Sequence, residues 1–143
     1  MDAKVVWKGR LSFDGTADSG FNIRLGGSPE VGGDNDGFRP VELLLVGLAG
    51  CTAMDVISIL KKMRQQVTDF EVRVHGERAS DHPRKFTHIV IEYAIAGHNV
   101  DPAAVHKAVD LSATRYCSVQ ASLDPSIPVE HRITIREAEP ATA

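Results

Sequence analysis

Only two residues in this 143-residue chain carry thiols, Cys51 and Cys117. Two cysteines cannot build a disulfide framework, and their wide spacing is not that of a zinc site. They are either small buried core residues or a redox pair. A thiol reacts as its thiolate, and a free thiol has a pKa near ~8.5. Cys51 stands in Gly50-Cys51-Thr52-Ala53-Met54-Asp55, about three turns into a helix predicted to start at Pro40. The field of a helix terminus fades within a turn, so it gives Cys51 little help. Burial raises a thiol pKa, and Asp55, one turn on along the same face, raises it further when ionised. A reactive Cys51 therefore needs a cation, and Arg10, Arg24 and Arg39 are the candidates. Glu42, in the first turn, either complements the helix dipole or orients such an arginine. Cys117, in Arg115-Tyr116-Cys117-Ser118-Val119, is the only possible intramolecular partner for Cys51. Its bland alternative is an inert buried cysteine.

Other chemistries find less support. The six histidines are scattered and form no His-x-x-x-His pair, so no metal site is expected. A Cys-His-acid hydrolase lacks any nucleophile-elbow motif. Asp34-Asn35-Asp36-Gly37 lacks the further ligands of a calcium loop, and no Gly-Lys-Ser/Thr ending marks a phosphate loop. The 16 basic and 19 acidic residues leave a net charge of −3, which argues against nucleic acid as a partner. The apolar run at residues 41–60 is interrupted by Glu42 and Asp55 and reads as a buried helix, not a membrane span. No basic segment followed by an apolar one opens the chain, so a cytoplasmic location is the default.

The elements that must position these groups read as one domain over residues 1–143. Residues 5–13 alternate apolar and polar as one strand, and Phe21, Ile23 and Leu25 mark a second, with Asp14-Gly15 in the connection. Residues 26–37, with five glycines, read as a flexible loop. A helix follows over residues 40–63, opened by Pro40 at its first position. Its apolar residues run nearly all round, so it should be buried on most sides. One short chain would struggle to cover it, which points to a second subunit. Strands are expected around Phe70, Val72 and Val74 and over residues 86–95. A second helix should start at Asp101-Pro102 and run to about Leu123, with a break near Cys117. Val129, Ile133 and Ile135 mark a last strand, and the tail from residue 137 should fray. The order β-β-α-β-β-α-β suggests an α+β fold with an antiparallel sheet and a long buried central helix.

Three stretches resemble the OsmC/Ohr family of thiol-dependent peroxidases. Gly20-Phe21-Asn22-Ile23-Arg24 looks like the strand that supplies the family's active-site arginine. Pro40-Val41-Glu42-Leu43-Leu44, continuing to Gly50-Cys51, looks like its helix with an early acidic residue and the peroxidatic cysteine. Tyr116-Cys117-Ser118-Val119 looks like the segment with the resolving cysteine. The likeness covers nearly the whole chain and looks closest to the YhfA-like branch.

The resemblance implies an interlocked homodimer with no resident cofactor that reduces organic hydroperoxides to alcohols. It implies that Cys51 becomes a sulfenic acid, that Cys117 condenses with it to a disulfide, and that an external dithiol, lipoyl-type in the family, reduces the bridge. Arg24 would stabilise the thiolate, and Glu42 would orient the arginine. Three positions depart from the family pattern. Val41 follows Pro40 where the acidic residue usually stands, Ser118 follows Cys117 where proline is common, and the YhfA-like branch often lacks an arginine where this chain has Arg24. The alternatives are a non-catalytic dimer of the same fold that binds an apolar ligand, and a thiol redox sensor.

Overall fold

A computed structural model describes residues 1–140. The chain forms two compact units, residues 1–44 and residues 45 onward. The first is an antiparallel three-stranded sheet in the order β1 (Ala3–Gly9), β2 (Ser12–Ala17), β3 (Asn22–Gly26). The single strand expected over residues 5–13 is instead a hairpin. Gly9 at φ 110° and Arg10 at φ 48° turn the chain back, so Trp7 faces Phe13 across the pair. An arginine in the left-handed region gives no turn signal, and alternation happens to run through the bend. Asp14-Gly15 consequently lies inside β2, where Asp14 pairs with Arg24 of β3.

The glycine-rich loop is tied down by the bond from the Phe38 N–H to the Arg24 carbonyl and by that from the Gly26 N–H to the Phe38 carbonyl. Two of its glycines serve close approach rather than mobility. A side chain at Gly33 would collide with the Gly27 backbone, and one at Gly37 would meet Arg24 at 2.6 Å.

Helix α1 (Pro40–Lys62) starts at the expected proline. It is long enough to cross a membrane, and an 18-residue stretch of it has a mean hydropathy of 2.1. Here it is an element of an α+β fold, and its buried residues form one stripe, Leu48, Thr52, Val56 and Leu60, at a spacing of four. The expected burial on most sides is absent from the single chain: Leu44 is 48% exposed, Val46 53% and Met54 73%.

The second sheet has the order β4 (Gln66–Arg78), β5 (Phe86–His98), β6 (Val129–Glu137). β4 and β5 form an antiparallel pair, but β5 and β6 run parallel, which corrects the expected all-antiparallel sheet. The reason is the helical crossover between them, which returns the chain in the same direction. α2 (Pro102–Leu111) begins at Asp101, whose carboxylate accepts the Ala103 N–H at 3.0 Å. A single π-helical turn follows over Ser112–Tyr116, and then α3 (Ser118–Ser122). The helix break expected near Cys117 is therefore present. The core of this unit gathers Leu48, Val56 and Leu60 of α1, Ile89, Ile91, Tyr93 and Ile95 of β5, and Val105, Ala108 and Val109 of α2. The expected frayed tail is strand at Glu137, and residues 141–143 lie outside the described residues.

Candidate active site

α1 carries Cys51, Thr52 and Asp55 within one turn and a residue. Thr52 lies on the buried stripe, and the other two flank it, half-buried. The π-helical turn supplies the opposing groups. Its wider ring is closed by the Cys117 N–H donating to the Ser112 carbonyl at 2.9 Å. Such turns recur at functional positions because they re-aim a side chain within a helix. This one presents Ser112 to α1, where its hydroxyl donates to Asp55 Oδ2 at 2.9 Å. Cys117, extended at φ −72° and ψ 98°, caps α3, and its Sγ accepts the Gln120 N–H at 3.4 Å. The two sulfurs and a carboxylate oxygen of Asp55 all lie within 4.8 Å of one another. Both thiols are free. The trio reads as a dithiol with an adjacent acid-base group.

Burial pushes the Cys117 thiol up, and the Cys51 sulfur beside it adds to that, against the opposing bond from the Gln120 N–H. Cys117 thus holds its proton beside Cys51. Behind the thiols runs a row of polar contacts through the core. Thr52 Oγ1 lies 3.0 Å from Ser112 Oγ and 2.9 Å from the Tyr93 hydroxyl. That hydroxyl lies 3.0 Å from His131 Nδ1. The Tyr93 and His131 rings stack with centroids 5.9 Å apart. Burial raises the Tyr93 pKa and lowers that of His131.

In the first unit, Arg24 and Glu42 line one cavity of about 510 Å³ with Asn35, Gly37, Phe38 and Arg39. Arg24 is held by Asp14 at 2.7 Å and Asp36 at 3.3 Å. Asp36 is held in turn by the Ser12 hydroxyl at 2.7 Å. Glu42 makes a different bond: its Oε1 accepts the Arg39 N–H at 2.9 Å, which is half of a helix capping box. Within this unit Asp14 and Asp36 orient Arg24, while Glu42 lines the same cavity. Arg10 pairs with Asp34 at 3.3 Å, and Arg39 donates to the Gly37 carbonyl at 2.9 Å.

Thr52, Tyr93, Ser112 and His131 went unrecognised in the sequence. A signal existed for three of them. Thr52 interrupts the Leu48–Val56–Leu60 stripe, Tyr93 the Ile89–Ile91–Ile95 alternation, and Ser112 follows Ala108 and Val109 on the buried face of α2. A polar residue where periodicity demands an apolar one must find a partner inside.

The profile of OsmC-like proteins matches residues 33–132. The chain belongs to the OsmC-like family. Escherichia coli (strain K12) protein YhfA is 42% identical over 131 residues, spanning 92% of this chain and 95% of its own. A crystal structure of a hypothetical protein from Aquifex aeolicus VF5 superposes with TM-score 0.84 at 31% identity, covering 96% of this chain and 97% of that one. The organic hydroperoxide resistance protein OhrB of Bacillus subtilis shares the fold, with TM-score 0.62 at 18% identity over 94% of this chain and 98% of its own. The OsmC-like fold thus brings together the expected cysteine pair.

Proposed function

We propose that this OsmC-like protein is a thiol-dependent peroxidase that reduces organic hydroperoxides to alcohols. The observation that carries the reading is the approach of Cys51 Sγ, Cys117 Sγ and the Asp55 carboxylate to within 4.8 Å. A fold shared with proteins named for organic hydroperoxide resistance supports it. In this reading the Cys51 thiolate attacks the outer peroxide oxygen. An S–O bond forms, the O–O bond breaks, and the alkoxide leaves with the electron pair and takes a proton. Cys117, which burial keeps protonated until then, gives up its proton as its sulfur attacks Cys51 Sγ of the sulfenic acid. The S–O bond breaks, that proton leaves with the hydroxyl as water, and the disulfide forms after a side-chain rotation closes the sulfurs to the ~2.05 Å of that bond. An external dithiol, lipoyl-type or similar, restores both thiols. Arg24 is the cation we assign to the thiolate, and Glu42 its acidic companion at the helix start. A long-lived dithiol requires a reducing compartment, so we assign the protein to the cytoplasm.

We further propose that the working form is a homodimer. Its support is the apolar surface left open in one chain, with Phe21 82% exposed on the first unit and Met54 73% on the second. A second reading draws on the groove of about 690 Å³ lined by Val5, Phe21, Ile23, Leu25 and Leu43 among others, which suits an apolar ligand in place of catalysis.

Stopped-flow oxidation of the reduced protein separates the two. Cumene hydroperoxide should consume thiols far faster than it consumes a free cysteine. Cys51→Ser should abolish this, Cys117→Ser should stop at sulfenic acid, and Arg24→Gln should slow the first step. Thiol loss no faster than that of free cysteine would defeat the peroxidase and leave the ligand-binding reading.

A further inference from the structure

The polar row behind the thiols is continuous, and hydrogen counting fixes its direction. An ionised carboxylate only accepts, and each hydroxyl has one hydrogen to give. With Asp55 ionised, Ser112 donates to it at 2.9 Å. Ser112 has then given its hydrogen, so Thr52 donates to Ser112 at 3.0 Å. Tyr93 in turn donates to Thr52 at 2.9 Å. Its own oxygen must accept from His131, so Nδ1 carries the hydrogen across 3.0 Å. Every hydrogen points toward Asp55, and Nε2 is left bare.

Ser112 and Thr52 are fully buried, and Tyr93 is 1% exposed. His131 is half-buried and lines a cleft of about 250 Å³ with His106, Val109, Asp110, Ala113 and Ile133. One end of the row therefore lies at a cleft and the other beside two sulfurs.

We propose that His131, Tyr93, Thr52 and Ser112 form a proton path that carries a proton from this cleft to Asp55, which delivers it to the group leaving at the Cys51–Cys117 pair. When Nε2 takes up a proton, Nδ1 passes its own to Tyr93, and each hydroxyl passes one onward until Asp55 is protonated. The row then points the other way, with the imidazole left as its Nε2–H tautomer. It resets when the three hydroxyls rotate and the imidazole regains its Nδ1–H form by proton exchange with water in the cleft. Burial keeps the imidazole neutral to lower pH than usual, against a smaller opposing effect of Asp110, so Nε2 is unprotonated at rest and a proton taken up there is readily passed on. The groups facing it are Tyr93 from β5 and His106 and Asp110 from α2. Those facing Asp55 are Cys51 on its own helix and Ser112 and Cys117 from the π-helical turn.

The reductive step shows the need. A thiolate of an external dithiol attacks Cys51 Sγ, forming a mixed disulfide. The Cys51–Cys117 bond breaks, and its electron pair goes to Cys117. That sulfur is buried and favours its protonated form. Asp55 supplies the proton, and the path replaces it from the cleft. The second thiol of the reductant then closes its own ring and frees Cys51.

This inference rests on the dithiol reading but not on peroxide as the oxidant. The test therefore starts from protein oxidised with diamide, then reduced by dithiothreitol in stopped flow, in light and heavy water. Wild type should show a solvent isotope effect with a curved proton inventory, the sign of several protons in flight. Tyr93→Phe keeps the ring and removes the relay hydroxyl, and should slow reduction by about 10²-fold with a linear inventory. His131→Ala should be slow and regain rate with added imidazole, which a merely structural role would not allow. Wild-type rates in both variants, or slow rates with an unchanged inventory and no imidazole rescue, would overturn the path. So would failure of diamide to form the disulfide. A path signature in a protein inert to cumene hydroperoxide would keep the relay and remove the peroxidase.

Discussion

Thr52 is the residue on which the most depends. It sits in an apolar stripe with no exposed surface and bonds both Tyr93 and Ser112. Thr52→Val keeps the shape and removes two buried hydrogen bonds, while Tyr93 keeps His131 and Ser112 keeps Asp55. A hydrogen bond contributes about 0.5–1.5 kcal/mol net, so urea unfolding should register a loss of about 1–3 kcal/mol for the two. If Val is tolerated without loss, the polar row contributes nothing to stability. His131 adds a pH effect whose sign follows from its depressed pKa. Below about pH 6.5 the unfolded chain protonates this histidine while the folded chain resists. Stability should therefore fall as pH drops from there toward the lower folded value. His131→Gln should flatten that part of the curve, and an unchanged slope between pH 7 and 5 would assign the effect to other groups.

At the level of elements, the π-helical turn decides whether the two sulfurs meet. Removing one residue from it, for example Thr114, would restore α-helical spacing and rotate Cys117 by about 100° relative to α2. The reduced protein should then keep two titratable thiols after diamide, while α2 and its Asp101 cap remain. A disulfide formed as in wild type would show that the turn is dispensable. This turn also marks the limit of what the chain makes legible. The helix break near Cys117 could be read in advance, but not its π geometry, because no residue in Ser112–Tyr116 forbids an ordinary helix. α1 was clear because Pro40, Glu42 and the closing Lys61 and Lys62 all agree. The β1–β2 hairpin was not, since Arg10 in a left-handed turn looks like any strand residue. The cysteines were legible from chemistry alone. Their polar support was not, because Tyr93 and His131 lie 38 positions apart and meet only across the β5–β6 pairing. Glu42 was legible as an acid in the first helical turn, but not its bond to the Arg39 N–H, because capping geometry forms only once the chain turns into the helix.

At the scale of the whole molecule, the open apolar surface makes oligomeric state the informative measurement. Burying a side chain such as Met54 contributes about 1.5–3 kcal/mol, so Met54→Asp should weaken the proposed dimer by a factor of at least about 10. Sedimentation at several concentrations would show this, and a wild-type chain that sediments as a monomer at high concentration would remove the dimer. The parallel pairing of β5 and β6 has a further consequence, for assembly of the chain itself. β4 and β5 are hairpin neighbours and can zip locally, whereas β6 must wait for the whole helical crossover to close, an entropic cost that slows non-local pairing. Until that last strand docks, Tyr93 has no imidazole beside it. An unfinished chain can thus hold both sulfurs and still lack the histidine that tunes their surroundings, so chemical competence arrives with the final strand, as a late checkpoint on correct folding.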